Sequence, residues 1–314
     1  MSAIAEAPPK TFIHVAEVWV PMDGVLQQKS GLYSTKPEFA KASVKESFAK
    51  GEGLPGKAWA EARPVVLKEF DGSYFKRSEA AKAAGLTSAV AIPVFAGETL
   101  KAVLVVLCGD DAAHAGAIEL WGQTGDCLAL EDGYYGTAAA FAGLSKEVTF
   151  PRGRGLVGGV WAAHTPVLMR DLGASYGFLR AQGAREAGLT TGIGLPVEVP
   201  GARDYVLTLL SSQDTPIARR FEIWDARPEL VGTTQKALRM DGICAIEGLL
   251  CPRENPPTDA VSIGAWQGPV GQVLGSGLPY VQGTSTGLPE GYGSMMALPI
   301  YRDGALTHIV AWYL

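Results

Sequence analysis

Cysteine and histidine are scarce in this chain of 314 residues, with four of each. The cysteines Cys108, Cys127, Cys244 and Cys251 form no CxxC pair, and the histidines His14, His114, His164 and His308 are scattered. No zinc-ligand spacing results, no disulfide framework is expected, and no metal or cofactor is called for. Long apolar runs are missing too. A bilayer span needs roughly 20 such residues, whereas the longest run, Ala102 to Cys108, has the length of a strand. Basic clusters are absent and the net charge is −5. A chain of that sign without a Lys/Arg run is not built to neutralise phosphates, so neither nucleic acid nor a membrane is expected as a partner. The N-terminal MSAIAEAPPKTF has no basic segment leading into an apolar one. A secretory signal is therefore not expected, and a cytoplasmic location is. A G-x-S-x-G elbow and a P-loop ending in GKS or GKT are also missing, which removes two common enzymatic readings.

What is present is globular material. Hydrophobic residues make up 47% and charged residues 19%, enough for folded cores rather than disorder. The length allows two or three domains. A repeat decides between them. VAEVW, AIELW and RFEIW end at Trp19, Trp121 and Trp224, spaced 102 and 103 residues apart. GEGLPGKAW and GRGLVGGVW end at Trp59 and Trp161, and QGPVGQVL ends at Leu274. AVAIPV, GIGLPV and MALPIY carry Pro93, Pro196 and Pro299, each 103 residues from the last. Between Trp19 and Leu67 the first copy aligns with the second without a gap, so Phe39 falls on Phe141 and Ser43 on Ser145. A period near 100 is too long for a solenoid. Three domains in series are expected, at 1–112, 113–216 and 217–314.

Within one copy, FIHVAEVWV alternates and reads as a strand, with MDG as the turn to its hairpin partner VLQQKSGLY. SVKESF alternates into GEGLPG, whose glycines permit a tight strand-to-helix turn. GKAWAEAR then reads as a short helix stopped by Pro64, and PVVLKEF as a strand. KRSEAAKAAGL reads as a helix capped at Gly85. SAVAIPVF and LKAVLVVLC close the copy as a second hairpin. This is an α+β pattern with a mostly antiparallel sheet. The helix-opening loops are placed to cradle an anion, but a structural turn accounts for their glycines. In the third copy Gly291 follows Val281 at an offset of only ten, so the counterpart of KRSEAAKAAGL is missing there. It also carries an insertion that includes CPRENPPTD, which reads as an irregular loop.

The ordered set GEGLPGKAW, RPVVL and FKRSEAAKAAGLTSAVAIPV, matched by GRGLVGGVW, TPVLM and FLRAQGAREAGLTTGIGLPV, resembles the GAF domain pattern. The resemblance covers nearly the whole chain and implies three tandem GAF-like domains of the PAS/GAF type. The long terminal helices usual in that family have no room here. In that family the ligand pocket lies between the sheet and the segment entering the Arg-containing helix. The resemblance therefore implies Phe70, Ser73, Tyr74, Phe75 and Arg77 as binding residues in copy one. In copy two it implies Leu172, Ser175, Tyr176, Phe178 and Arg180. Aromatics with a few convergent polar groups suit a small planar or anionic ligand. The alternative is that the aromatics plug the core and the arginine pairs with a carboxylate at the helix start.

The family's cyclic-nucleotide pattern and the His-containing setting of its chromophore cysteines are both absent. The function implied is a stand-alone sensory or regulatory protein, not an enzyme, that binds a small molecule in copies one and two. It would signal in trans through a protein partner or self-association, with the third copy as a structural or partner-facing end. One alternative is a structural or protein-interaction module with side-chain-filled pockets. Another is a thiol-based reductase of the methionine-sulfoxide type, although the four cysteines are spread over three copies.

Overall fold

FIHVAEVWV becomes a strand buried on both faces. In the computed structural model, β1 (Ile13–Met22) turns Val15 and Trp19 toward flanking helices and Ala16 and Val18 toward the opposite side. β6 (Thr99–Gly109) divides the same way, which explains the unbroken run Ala102 to Cys108. The structure describes residues 11–109, 114–201, 203–213, 215–228, 236–251 and 261–314. CPRENPPTD lies outside the described residues except for Cys251 and, within the short joins between copies, so do residues 110–113 and 214.

The first copy runs β1, β2 (Val25–Leu32), α1 (Pro37–Ser43), β3 (Ser47–Ala49), α2 (Gly53–Glu61), β4 (Val65–Leu67), α3 (Ser78–Ala83), β5 (Leu86–Ala96) and β6. Its antiparallel sheet has the order β3-β2-β1-β6-β5-β4. The second copy repeats the path with β7 (Ala115–Thr124), β8 (Cys127–Gly136), α4 (Ala139–Glu147), β9 (Thr149–Pro151), α5 (Gly155–Ala163), β10 (Val167–Arg170), α6 (Ala181–Glu186), β11 (Leu189–Val197) and β12 (Tyr205–Ser212). The third has β13 (Arg220–Asp225), β14 (Lys236–Cys244), β15 (Gly248–Leu249), β16 (Ser262–Gly264), α7 (Gly268–Ser276), β17 (Tyr280–Gln282), β18 (Met295–Arg302) and β19 (Ala305–Tyr313). No helix separates β17 from β18, as the short spacing there requires.

One element differs from the sequence reading. A helix (α1, and α4 in the second copy) precedes the edge strand where alternation alone was legible. Pro37 occupies its first turn with Glu38 beside it, a favourable helix start.

The glycine motif is structural. Gly53, Gly155 and Gly268 open their helices at φ of 59°, 67° and 60°. Three residues on, a Cβ on Gly56 or Gly158 would stand 2.1 Å from the carbonyl oxygen of Ala49 or Pro151. Only glycine lets the helix lie that close to the edge strand.

Each sheet has its own helix-covered outer face, but the three inner faces share one core. Val18, Leu104, Leu120, Leu207, Ile223 and Val310 belong to the same buried cluster. The sheets close on one another in a ring. Lys68 beyond β4 pairs with Asp132 on β8 at 2.5 Å. Arg170 on β10 pairs with Asp241 on β14, and β17 lies against β2. Pro93, Pro196 and Pro299 meet around a cavity of about 20 Å³. Each proline sits two residues past the last residue paired to the short edge strand and is paired only on its other side, with Val103, Val206 or Ile309.

Candidate functional site

The site in each sheet is built around a glutamate two residues before the repeat tryptophan. Glu17 and Trp19 share the outer face of β1 because side chains alternate. Glu17 and Glu119 are fully buried, and Glu222 is 2% exposed. Each pairs with a glycine, Gly31, Gly133 or Gly242, and just beyond it the neighbouring strand carries an extra residue, with register shifts at Val18/Trp19, Leu120/Trp121 and Ile223/Trp224. Such a bulge re-aims the side chains beside it.

In the first copy Arg77, from the residue before α3, meets Glu17 bidentately. Nη1 donates to Oε1 at 2.6 Å and Nη2 to Oε2 at 2.9 Å. Trp19 Nε1 donates to Oε2 at 3.1 Å and the Tyr33 hydroxyl to Oε1 at 3.1 Å. Ser43 on α1 accepts from Arg77 and hydrogen-bonds the Phe39 carbonyl. Four rings box the guanidinium: Phe39, Phe75, Trp19 and Phe48, with centroids 4.8, 5.2, 5.4 and 5.8 Å from its carbon. Burial, with the Glu17 charge second, pushes the Tyr33 hydroxyl far above its ordinary range, so it stays protonated as a donor.

The second copy repeats the pair and its box with one change: Trp121 Nε1 donates to the Thr208 hydroxyl at 3.2 Å, and Thr208, which stands where the first copy has Val105, passes a hydrogen bond on to the carboxylate. Arg180 Nη2 donates to Glu119 Oε2 at 3.0 Å and Nη1 to Oε1 at 2.5 Å. Ser145, Tyr135 and Thr208 complete the carboxylate's shell at 2.6, 3.2 and 3.0 Å. Phe141, Trp121, Phe178 and Phe150 form the box. In the third copy, which lacks the helix, strand arginines take over. Arg220 Nε and Nη2 donate to Glu222 Oε1 at 2.8 and 2.6 Å, and Arg239 reaches it at 3.4 Å. Trp224 and Tyr313 donate to Oε2, each at 3.0 Å.

The residues expected to converge on a ligand therefore divide. Phe75, Arg77, Phe178 and Arg180 point inward and are buried, and Phe70 and Leu172 belong to the same outer-face cores. Ser73 makes a local turn, donating to the Phe70 carbonyl at 2.8 Å and accepting from the Phe75 amide. The Ser175 carbonyl accepts from the Phe178 amide. Tyr74 is 40% exposed, with Lys57 over its ring, and Tyr176 is wholly exposed. The arginine does pair with a carboxylate, but that carboxylate comes from the first strand rather than the helix start. The sequence reading missed Glu17, Glu119 and Glu222, though all three stand in the quoted repeat. It also missed the roles of Phe39, Phe48, Tyr33 and their counterparts.

The cysteines do not gather. Cys108 lies in the shared core, Cys127 opens β8, and Cys244 and Cys251 are in the third copy, none of them in a disulfide among the described residues. Cys244 Sγ is 3.0 Å from the Tyr292 hydroxyl. Among the described residues no group of three or more His, Cys, Asp or Glu is placed to hold a metal, and no helix is long and apolar enough to cross a membrane. His308 is buried beside Asp225 on paired strands. Desolvation outweighs the attraction of that carboxylate and draws the imidazole down to about 4.

No family model matches the chain, and no curated protein matches it. Solved structures of similar fold include a GAF domain of A. aeolicus in an inactive state. It is 20% identical over 31% of this chain and 58% of that one, with a TM-score of 0.26. The GAF domain/HD domain protein of Geobacter sulfurreducens is 15% identical over 32% and 65%, with a TM-score of 0.27. The free methionine-R-sulfoxide reductase of Neisseria meningitidis, solved with its substrate, is 19% identical over 32% and 53%, with a TM-score of 0.24. The chain thus spans between about half and two thirds of the length of these structures, and the likeness is one of fold.

Proposed function

We propose that the chain is a non-catalytic regulatory module of three tandem GAF-like units that acts by binding a protein partner. In this reading the interior of its first two units is occupied by their own arginines. The carrying observation is the buried Arg–Glu pair inside four rings, present in both units. A carboxylate among aromatic faces is the complement of a planar cation, and Arg77 and Arg180 already supply that cation. A differential scanning fluorimetry screen of nucleotides, aromatic acids and amino acids should then give no saturable stabilisation of the wild-type chain. Any ligand bound to the native state must raise its stability. A saturable rise that disappears in Arg77→Ala or Arg180→Ala overturns this reading.

A second reading, a small-molecule sensor in the first two units, is favoured by one detail. The Nε of both arginines is buried without a hydrogen-bond partner. An unmet buried donor costs about 1–3 kcal/mol, so each closed box leaves one interaction for a ligand acceptor to complete. The same screen separates the two readings.

A further inference from the structure

The first two units are internal controls for one another, and their helical faces differ at matched positions. Ser43 and Ser145, and Arg77 and Arg180, anchor the correspondence. One residue before the serine, Ala42 in unit one becomes Leu144 in unit two. Three residues after it, Glu46 becomes Val148. One residue before the arginine, Lys76 becomes Leu179. In unit one this patch is closed by charge: Lys76 Nζ lies 3.3 Å from Glu46 and 2.9 Å from Glu52. In unit two all three positions are apolar, and Leu144 and Leu179 are 41% and 45% exposed.

They line a groove of about 480 Å³ between α4 and α6, a volume within the usual range for binding clefts. Its rim also gains negative charge. Glu147 and Glu186 stand where unit one has Lys45 and Ala83. Glu186 takes only a hydrogen bond from Gln182, and neither carboxylate is in an ion pair among the described residues. The one cation at the groove floor, Arg180, is neutralised by Glu119.

We infer that this groove is the docking site for an amphipathic segment of a partner protein, with leucine-type anchors flanked by lysine or arginine. This inference rests on the partner-binding reading above. The apolar floor seats the anchors and the acidic rim selects basic flanks. Unit one shows that the same backbone accepts a charged, closed surface, so the apolar groove is not needed for folding.

The test uses the full chain. A fluorescein-labelled 14-residue helical Leu/Lys peptide, and a Leu/Glu peptide of equal length, are titrated by anisotropy. Hydrogen exchange then locates the contact. The variant Leu144→Ala/Val148→Glu/Leu179→Lys installs the unit-one residues at the three apolar positions without altering net charge. Saturable binding of the Leu/Lys peptide, protection over 139–148 and 179–186, and at least tenfold weakening in the triple variant support the inference. Equal binding to the triple variant overturns it, as does equal binding of the Leu/Glu peptide or absence of binding. Concentration-dependent dimerisation abolished by the triple variant overturns it in favour of a second copy of the chain. Should the triple variant fail to fold by circular dichroism, Glu147→Lys/Glu186→Lys carries the test, with weakened binding expected and unchanged binding contradicting it. Failure here removes this groove alone, because the reading of boxes filled by their own arginines is decided separately by the small-molecule screen.

Discussion

Replacing Arg180 with alanine strands Glu119 in a box of rings. Breaking a buried ion pair from one side costs about 3–5 kcal/mol, because the remaining charge stays desolvated. Tyr135, Ser145 and Thr208 still donate to the carboxylate, which places the loss toward the lower half of that range. At roughly 2.1 cal/mol/K per residue, a chain of this length has an unfolding entropy of about 0.7 kcal/mol/K, so a loss of about 3.5 kcal/mol lowers Tm by about 5 °C. Glu119→Gln alone should cost a similar amount, since Arg180 then loses its counter-charge. Combining the two removes both charges, and the double variant should be well short of additive, with a coupling of about 2 kcal/mol or more. Chemical denaturation of the four proteins closes the cycle. Additive single effects would refute a closed pair in solution.

The buried His308 sets a pH dependence. Its native pKa near 4 lies below the ordinary 6.5, so the unfolded chain takes up the proton first. Stability from this residue is complete above pH 6.5 and falls by up to about 3 kcal/mol as pH drops toward 4. His308→Asn should flatten that slope in denaturation curves, and an unchanged slope contradicts the assignment. The two ion pairs that join neighbouring sheets should differ. Arg170, largely buried where it meets Asp241 and the Gly242 carbonyl, should cost about 1–3 kcal/mol on replacement by alanine. The exposed Lys68 should cost under about 1 kcal/mol. Equal losses by thermal melting would contradict the packing. Gly158→Ala forces a Cβ into the Pro151 carbonyl and should destabilise by at least about 2 kcal/mol, whereas Gly143→Ala, with open space around it, should be neutral or better.

Much of this architecture was readable because the chain repeats it. Trp19, Trp121 and Trp224 located the central strands, the prolines located the inner hairpins, and the short spacing after Val281 correctly removed a helix. Two things were not readable. α1 and α4 are brief, and each buries only a phenylalanine and a serine, Phe39 and Ser43 or Phe141 and Ser145, which gives too little helical period beside the alternation that follows. The buried glutamates were hidden by a general expectation, since a charged residue in a strand is normally on a solvated face. Only the distant Arg77, sixty residues along, makes burial of Glu17 tolerable, and sequence spacing does not show that contact. The shared inner core was likewise out of reach, because a strand buried on both faces reads the same whichever neighbour covers it.

The occupancy of the box is tested most directly by chemical rescue. Ethylguanidinium at millimolar concentration is added to wild type and to Arg180→Ala, against a sodium chloride control, and Tm is followed. The emptied box, with Glu119 at its base and Trp121, Phe141, Phe150 and Phe178 around it, should take up the cation, so the variant's Tm rises saturably. The wild type, already filled by Arg180, should not respond. No rescue of the variant, or an equal rise in both proteins, would contradict the account.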